Sequence, residues 1–288
     1  MSKGKSRQKG GSGPFKPPGT KGNRRVSGRG RAPKARRGRG DTGDRLWLYG
    51  AHPVLAALGN PNRRCHRLMI TLEAERRLGD SLAAALADRA EPLSVERQER
   101  GELAAPLPEG AVHQGLAMQV EPLEQPALAD LLGIEEAAAQ VIVALDQVTD
   151  PQNVGAVLRS AAAFGATAVL APERHAAPES GALAKAASGA LERIPYVLET
   201  NLSRALDQLK AGGFWCLGLA SESDVTLAEA DTTARTVLVL GAEGSGLRRL
   251  TREHCDTLVR LPTRPAMGQL NVSNAAAVAL YELLGRSG

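Results

Sequence analysis

The chain has 288 residues, 43% of them hydrophobic, which is enough for a packed core and for about two domains of ordinary size. The formal net charge of +5 conceals a division: residues 1–40 hold 14 of the 36 Lys and Arg and none of the 31 Asp and Glu, leaving 22 basic against 31 acidic residues in 41–288, a net of −9. A wholly disordered chain and a uniformly basic one are both excluded.

The first 40 residues also contain ten Gly and four Pro. Such a composition buries too little apolar surface to offset chain entropy, so it reads as a disordered basic tail, either a solvated solubility segment or an electrostatic arm for RNA. The tail has no apolar core of the kind a signal peptide needs. Cys65, Cys216 and Cys255 are odd in number and form no CxxC pair. That argues against a disulfide framework or a thiolate metal site and for a reducing cytoplasm. The longest apolar candidate, Ala275 to Leu284, is interrupted by Tyr281 and Glu282, so no membrane span is expected.

From Leu46 to about Val120 short elements alternate. Ala51 to Leu58 predicts a helix after a Tyr49-Gly50 turn, His66 to Ile70 a strand, Leu78 to Ala90 a helix, and Gly115 to Val120 a closing strand. Glu121 to Ala139, with Pro122 and Pro126, reads as a linker containing a short helix. The continuous apolar run Val141 to Leu145 then predicts a strand buried on both faces of a parallel sheet. Similar runs recur at Ala168–Leu170, Phe214–Leu217 and Val237–Leu240, with helical stretches between them. This alternation predicts an α/β fold with ligands at the carboxyl ends of the strands.

Three motifs lie where such ligands would sit. The first runs from Asp146 to Ser160: Asp150-Pro151 makes a turn and a helix starts near Asn153, a favoured capping residue. Arg159 lies off the apolar stripe of that helix, and its guanidinium is expected to reach back over Gly155 towards the Asn153 end. A solvated surface charge is the plainer reading of Arg159. The second motif, Gly241-Ala242-Glu243-Gly244-Ser245-Gly246, follows a strand directly. Its glycines allow positive φ and close backbone approach, but its order is not the GxGxxG dinucleotide pattern. The third, Leu261-Pro262 through Met267-Gly268-Gln269-Leu270-Asn271-Val272-Ser273-Asn274, leads into an Ala-rich helix. Capping by Ser273-Asn274 would explain two of its polar residues and leave Gln269 and Asn271 unexplained.

Together with Tyr49-Gly50-Ala51-His52, Gly110 to Gly115 and Arg248 to Asp256, these motifs resemble the SpoU/TrmH family of AdoMet-dependent RNA ribose 2′-O-methyltransferases. The likeness is greatest to bacterial members that modify a 23S rRNA guanosine, and it runs from about Tyr49 to the C-terminus. The basic tail, taken as residues 1–45, lies outside it; the resemblance implies an L30e-like RNA substrate-binding domain over 46–121, followed by a linker over 122–140. Residues 141–288 would form a trefoil-knotted, parallel-sheet SPOUT-type domain. It further implies S-adenosyl-L-methionine as methyl donor, no metal, a homodimer, and 23S rRNA or a pre-50S particle as partner, with the peptidyl-transferase P loop as target.

Matched motif by motif, Asn153, Arg159, Glu243 and Asn271 take the catalytic positions. Gly241, Gly246, Leu261, Gln269 and Leu270 take the cofactor positions. Local basic surface for RNA would come from Arg248, Arg249, Arg252 and Arg264, with Arg260 nearby. Gln269 departs from the family, which commonly has Ser before Leu-Asn. Arginine is effectively always protonated, so Arg159 is expected to bind the target phosphate and stabilise developing charge. The alternatives are a tRNA 2′-O-methyltransferase and a noncatalytic RNA-binding or ribosome-assembly factor of the same fold.

Overall fold

The computed structural model describes residues 45–133, 139–264 and 269–286. The expected disordered tail therefore lies outside the described residues, apart from Arg45, as do Met267 and Gly268 of the third motif.

The first half of the described chain forms a four-stranded sheet. Its elements are β1 (Leu46–Tyr49), α1 (Ala51–Leu58), β2 (Cys65–Ile70), α2 (Leu72–Ala87), β3 (Ser94–Arg97), α3 (Arg100–Ala104) and β4 (Leu116–Val120), with strand order β1-β4-β2-β3. Leu48, Leu68, Ile70, Leu116, Met118 and Val120 bury one face against Val54, Ala57, Ala74 and Leu82 of the helices. The helix expected over 78–90 in fact begins at Leu72. Thr71 caps it by accepting a bond from Ala74 N, and Gly79 at φ 36° kinks it one residue after the predicted start at Leu78. β1 is apolar but only four residues long, and β3 and α3 are short and largely polar, which is why none of the three carries a clear periodic signal.

After α4 (Leu128–Leu132), the second half builds a six-stranded parallel sheet. Its elements are β5 (Gln140–Asp146), α5 (Pro151–Phe164), β6 (Ala168–Pro172), α6 (Gly181–Ala187), β7 (Tyr196–Glu199), α7 (Leu202–Ala211), β8 (Trp215–Leu219), β9 (Arg235–Gly241), α8 (Arg249–His254), β10 (Thr257–Val259) and α9 (Val272–Leu280). The strand order is β10-β8-β9-β5-β6-β7, every described pairing being parallel. The expected strands are all present, and β7 and β10 are additional.

Alternation along β5 shows why its run is continuously apolar. Val141, Val143 and Leu145 face the core shared with α5, α6 and α9, whereas Ile142 and Ala144 face the one shared with α4 and α7. Burying each Val, Leu or Ile of this kind is worth about 1.5–3 kcal/mol. From β5 the chain moves outward through β6 and β7, then returns to place β8 and β9 on the other side. The order therefore reverses between β5 and β9, and the crevice outside their carboxyl ends is where an open α/β sheet accepts ligands.

Candidate functional site

β5 and β9 end side by side, with Asp146 paired to Gly241. Asp146 is fully buried, and it fastens the loop after β9 by accepting from Arg248 N at 2.9 Å and from Arg248 Nε at 2.6 Å. The loop closes on itself through Gly246 N to Ala242 O at 2.9 Å. A Cβ at Gly241 would lie 2.1 Å from the carbonyl carbon of Gly246, so glycine is required there by the loop's own return. Gly246, at φ 65°, needs glycine for its backbone conformation instead.

Held in this way, Glu243 meets two amides from distant segments. Asn153 Nδ2 donates to Glu243 Oε1 at 3.1 Å, Asn271 Nδ2 donates to Asn153 Oδ1 at 3.0 Å, and Asn271 Nδ2 also donates to Glu243 Oε1. The local structure differs from the sequence reading in a way that frees these side chains. The cap of α5 is Asp150, whose Oδ1 accepts from Gln152 N at 3.0 Å and which is followed by Pro151 at the first helical position. Asn153 sits inside the first turn with its side chain available. The cap of α9 is Asn271 rather than Ser273-Asn274: its Oδ1 accepts from Ser273 N at 2.9 Å, Ser273 Oγ at 2.6 Å and Asn274 N at 3.4 Å. With its oxygen occupied by the cap, Asn271 has only its NH₂ to turn towards Glu243.

Arg159 is exposed on α5 and makes no hydrogen bond or ion pair with any described residue. Gly155, over which it was expected to reach, is covered by α6. A Cβ there would lie 2.4 Å from that of Ala186 and 2.8 Å from Ala187 N. Gly155 is small for helix packing, and Arg159 stands in solvent.

Beside the network lies a cavity of about 150 Å³. Leu219, Leu240, Leu261, Leu270 and Val272 give it apolar walls, and Ser221, Glu222, Ser245, Thr263 and Gln269 give it polar groups. Gly241 and Gly246 line it as well, so all five positions expected to hold a cofactor converge there. This mixture suits a ligand with a flat apolar ring and several hydrogen-bonding groups. Gln269 Nε2 donates to Ser221 Oγ at 3.0 Å, tying the third motif to the loop after β8. The Arg252 guanidinium hydrogen-bonds Glu222 and holds its carboxyl below the usual carboxylate range.

Ser221 and Glu222 were not among the expected site residues, although they follow a strand directly and the strand-end rule would have found them. Of the other basic candidates, Arg249 pairs with Glu253 at 2.5 Å, Arg260 lines the cavity, and Arg264 is exposed without a bond to any described residue. His113 is buried. Its Nδ1 accepts from Gly115 N at 3.2 Å, and burial pushes its pKa down, so it supports the turn into β4.

The residues that build this site fall within a recognised family pattern. Residues 140–281 match the SpoU rRNA methylase family, and residues 47–126 match the RNA 2′-O ribose methyltransferase substrate-binding family. The 23S rRNA (guanosine-2′-O-)-methyltransferase RlmB of Pseudomonas syringae is 42% identical over 241 residues, covering 82% of this chain and 94% of that protein. RlmB of Escherichia coli K12 is 38% identical over 237 residues, covering 82% and 96%. Among solved structures, the SpoU methyltransferase AviRb of Streptomyces viridochromogenes in complex with AdoMet has a similar fold. Its TM-score is 0.70 at 23% identity, covering 84% of this chain and 90% of that one. An AdoMet-bound rRNA methyltransferase from Sinorhizobium meliloti gives 0.68 at 22% identity, covering 84% and 87%. By matched residues and by identity over most of its length, the chain belongs to the SpoU rRNA methylase family.

Proposed function

We propose that this chain transfers the methyl group of S-adenosyl-L-methionine to the ribose 2′-hydroxyl of a guanosine in 23S rRNA. The observation that carries this reading is the closed network of Asn153, Glu243 and Asn271 beside a cavity lined by Gly241, Gly246, Leu261, Gln269 and Leu270. Those five lining residues would hold the methyl donor. When bound, it supplies an electrophilic methyl group on a sulfonium.

The protein's part is to bring the ribose oxygen into line, and positioning of this kind supplies much of such an acceleration. Both amides address Oε1 of Glu243, which leaves Oε2 to accept a hydrogen bond from the 2′-hydroxyl and orient its lone pair. Asn153 and Asn271 fix the carboxylate. Arg159, unpaired and exposed, binds the target phosphate and stabilises negative charge developing on the attacking oxygen, with proton loss concerted or late. Of the expected RNA-contacting arginines, Arg248, Arg249 and Arg252 are each paired with a carboxylate (Asp146, Glu253 and Glu222), so local positive surface on a body whose net charge is −9 rests on Arg264 together with Arg159.

The same reading takes residues 46–121 as an L30e-like RNA-binding domain and 122–140 as a linker. It takes residues 141–288 as a trefoil-knotted domain whose terminal segment threads a loop beside the cavity. It also includes a homodimer, action in the cytoplasm on 23S rRNA or a pre-50S particle, and a target in the peptidyl-transferase P loop. Val278, 49% exposed, and Tyr281, 54% exposed and edge-on to Phe164, offer apolar surface to a second copy.

The test is to map ribose methylation across all RNA in a deletion strain and to complement it with the wild-type gene and with Glu243→Gln. Loss of one 2′-O-methylguanosine from 23S rRNA, restored only by wild type, is the expected result. Loss confined to tRNA would select the tRNA alternative. Unchanged methylation with no AdoMet binding by calorimetry would select a noncatalytic factor.

A further inference from the structure

Outside the cavity described above, the loop between α1 and β2 places Arg63 in the interior. Its side chain is 0% exposed, and the two carboxylates it meets, Glu179 and Glu192, are 9% and 4% exposed. Arg63 Nη2 lies 2.5 Å from Glu192 Oε1, and Nε donates to both Glu192 oxygens at 3.1 Å. Nη1 donates to Glu179 Oε1 at 2.5 Å and to Glu121 O at 2.8 Å. The carboxylates are held in turn, Glu192 Oε2 by Asn60 Nδ2 at 2.8 Å and Glu179 Oε2 by Leu123 N at 2.9 Å. Arginine, backbone and amide from the four-stranded half thus close on two acids from the six-stranded half, across the segment that joins them.

A buried ion pair returns little net stability, because desolvation offsets the attraction, but parting its members strands an uncompensated buried charge. An apolar contact tolerates sliding. A guanidinium fork bridging two carboxylates and a carbonyl does not, since any shift leaves a buried charge unpaired.

A second contact fixes the same relationship. Helix α6 is built of small residues and lies between the halves. Gly181 packs so tightly on β1 that a Cβ would lie 2.3 Å from Trp47 O, and Lys185 Nζ donates to Gln114 Oε1 at 2.8 Å. Through Ala186 and Ala187, α6 also rests on Gly155 of α5, the helix that carries Asn153 and Arg159. The four-stranded half is therefore referenced, through one thin spacer, to the helix bearing the site.

We infer that Arg63, Glu179 and Glu192 form an interdomain clamp that fixes the pose of the RNA-binding half over the methyl-transfer site, making Arg63 a positioning residue for the RNA. The inference rests on the function proposed above for its consequence in methyl transfer, but not for the geometry. Loss of the clamp leaves RNA bound and the methyl donor bound while the ribose arrives misplaced, and a misplacement of about 1 Å costs on the order of a hundredfold in rate.

The test compares full-length wild type with Arg63→Met and with the triple variant Arg63→Met/Glu179→Gln/Glu192→Gln, which leaves no charge stranded if the single variant fails to fold. Three quantities are read: AdoMet stoichiometry by calorimetry, the single-turnover rate on saturating 23S rRNA, and the small-angle scattering distance distribution. Expected for the triple variant are unchanged stoichiometry, a rate lower by roughly a hundredfold, and a broadened distribution. A rate within threefold of wild type, or a rate that falls only in proportion to lost AdoMet binding, overturns the inference. If wild type does not methylate 23S rRNA, the functional reading fails and scattering alone decides: a broadened distribution upholds the clamp and an unchanged one refutes it.

Discussion

Asn153 Nδ2 donates to Glu243 Oε1 at 3.1 Å across 90 residues of sequence, and the contact exists because neither residue is used by its own element. Asp150 caps α5 in place of Asn153, and the Asp146–Arg248 tether holds the loop that presents Glu243. A Gln at 243 keeps an oxygen for both amide donors but loses the charge and one acceptor. Glu243→Gln should therefore melt within about 2 °C of wild type, since surface changes of this kind stay within about 0.5 kcal/mol. Methyl transfer should fall by roughly 10²–10³-fold if the carboxylate orients the hydroxyl. Calorimetric melting and single-turnover assays check both halves, and a variant retaining more than a tenth of wild-type rate would show the charge to be dispensable.

Asn271→Ala differs in kind, because it removes a helix cap together with the network bond. It should cost about 1 kcal/mol of stability in addition to activity. Asn271→Asp keeps the capping oxygen but sets a second carboxylate against Glu243. It should preserve the helix and lose activity at least as severely as the alanine variant, which chemical denaturation and rate measurements would separate.

The parallel sheet was legible because strands buried on both faces must be continuously apolar, as Val141 to Leu145 are. The three motifs were legible because strand ends rich in Gly, Asn and carboxylate have little other use. What sequence could not supply was the division of labour inside each motif. Which of Asp150 and Asn153 caps α5, or of Asn271 and Ser273 caps α9, is decided by the direction in which the chain enters the helix. Gly155 looked like room for Arg159 and proved to be the seat of α6, a contact made with residues some thirty positions away. Arg63 gave no signal at all, since a lone Arg in a polar loop is ordinarily solvated.

Arg159 is tested by Lys, which keeps the charge and loses the planar fork. If the guanidinium holds a phosphate by two parallel bonds while stabilising the attacking oxygen, Arg159→Lys should lose on the order of a hundredfold or more under single-turnover conditions. AdoMet affinity should hold, since Arg159 does not line the cavity. Near-full activity of the Lys variant would mean that a point charge is sufficient.

The amide of Gln269 spans to Ser221 Oγ at 3.0 Å. A hydrogen bond of this kind is worth about 1 kcal/mol, so Gln269→Ser should weaken AdoMet binding by about fivefold. Ser221→Ala should do the same, and the double variant should be no worse than either single one. Additive losses would show that the two side chains act separately.

Alkaline pH should destabilise the fold. Burial pushes the Cys216 and Cys255 thiols from 9.0 up to about 12, and it raises the Tyr196 phenol as well. Lys210 is raised by its hydrogen bond to Asp256. For all four the folded pKa lies above the unfolded one, so their contribution is complete below about pH 9 and is lost as pH climbs through the folded values. Lys185, lowered by burial, acts in the opposite sense, and one group does not cancel four. Denaturation midpoints should thus decline between about pH 9 and pH 12. Iodoacetamide at pH 8 should leave Cys216 and Cys255 unmodified in the native protein while labelling both in denaturant.

Residues 1–40 place 14 positive charges ahead of a body with a net charge of −9. If these charges contact phosphates, each releases counterions, and the slope of log affinity against log salt steepens by roughly 0.7 for every contact on single-stranded RNA. Deleting residues 1–40 should weaken binding to 23S rRNA at low salt and flatten that slope. It should leave the methylated nucleotide unchanged, because phosphate contacts carry no sequence information. Filter binding from 50 to 300 mM salt, paired with methylation mapping, decides the matter. An unaltered slope would mean that the tail does not touch RNA, and a shifted target would mean that it contributes to choosing the site.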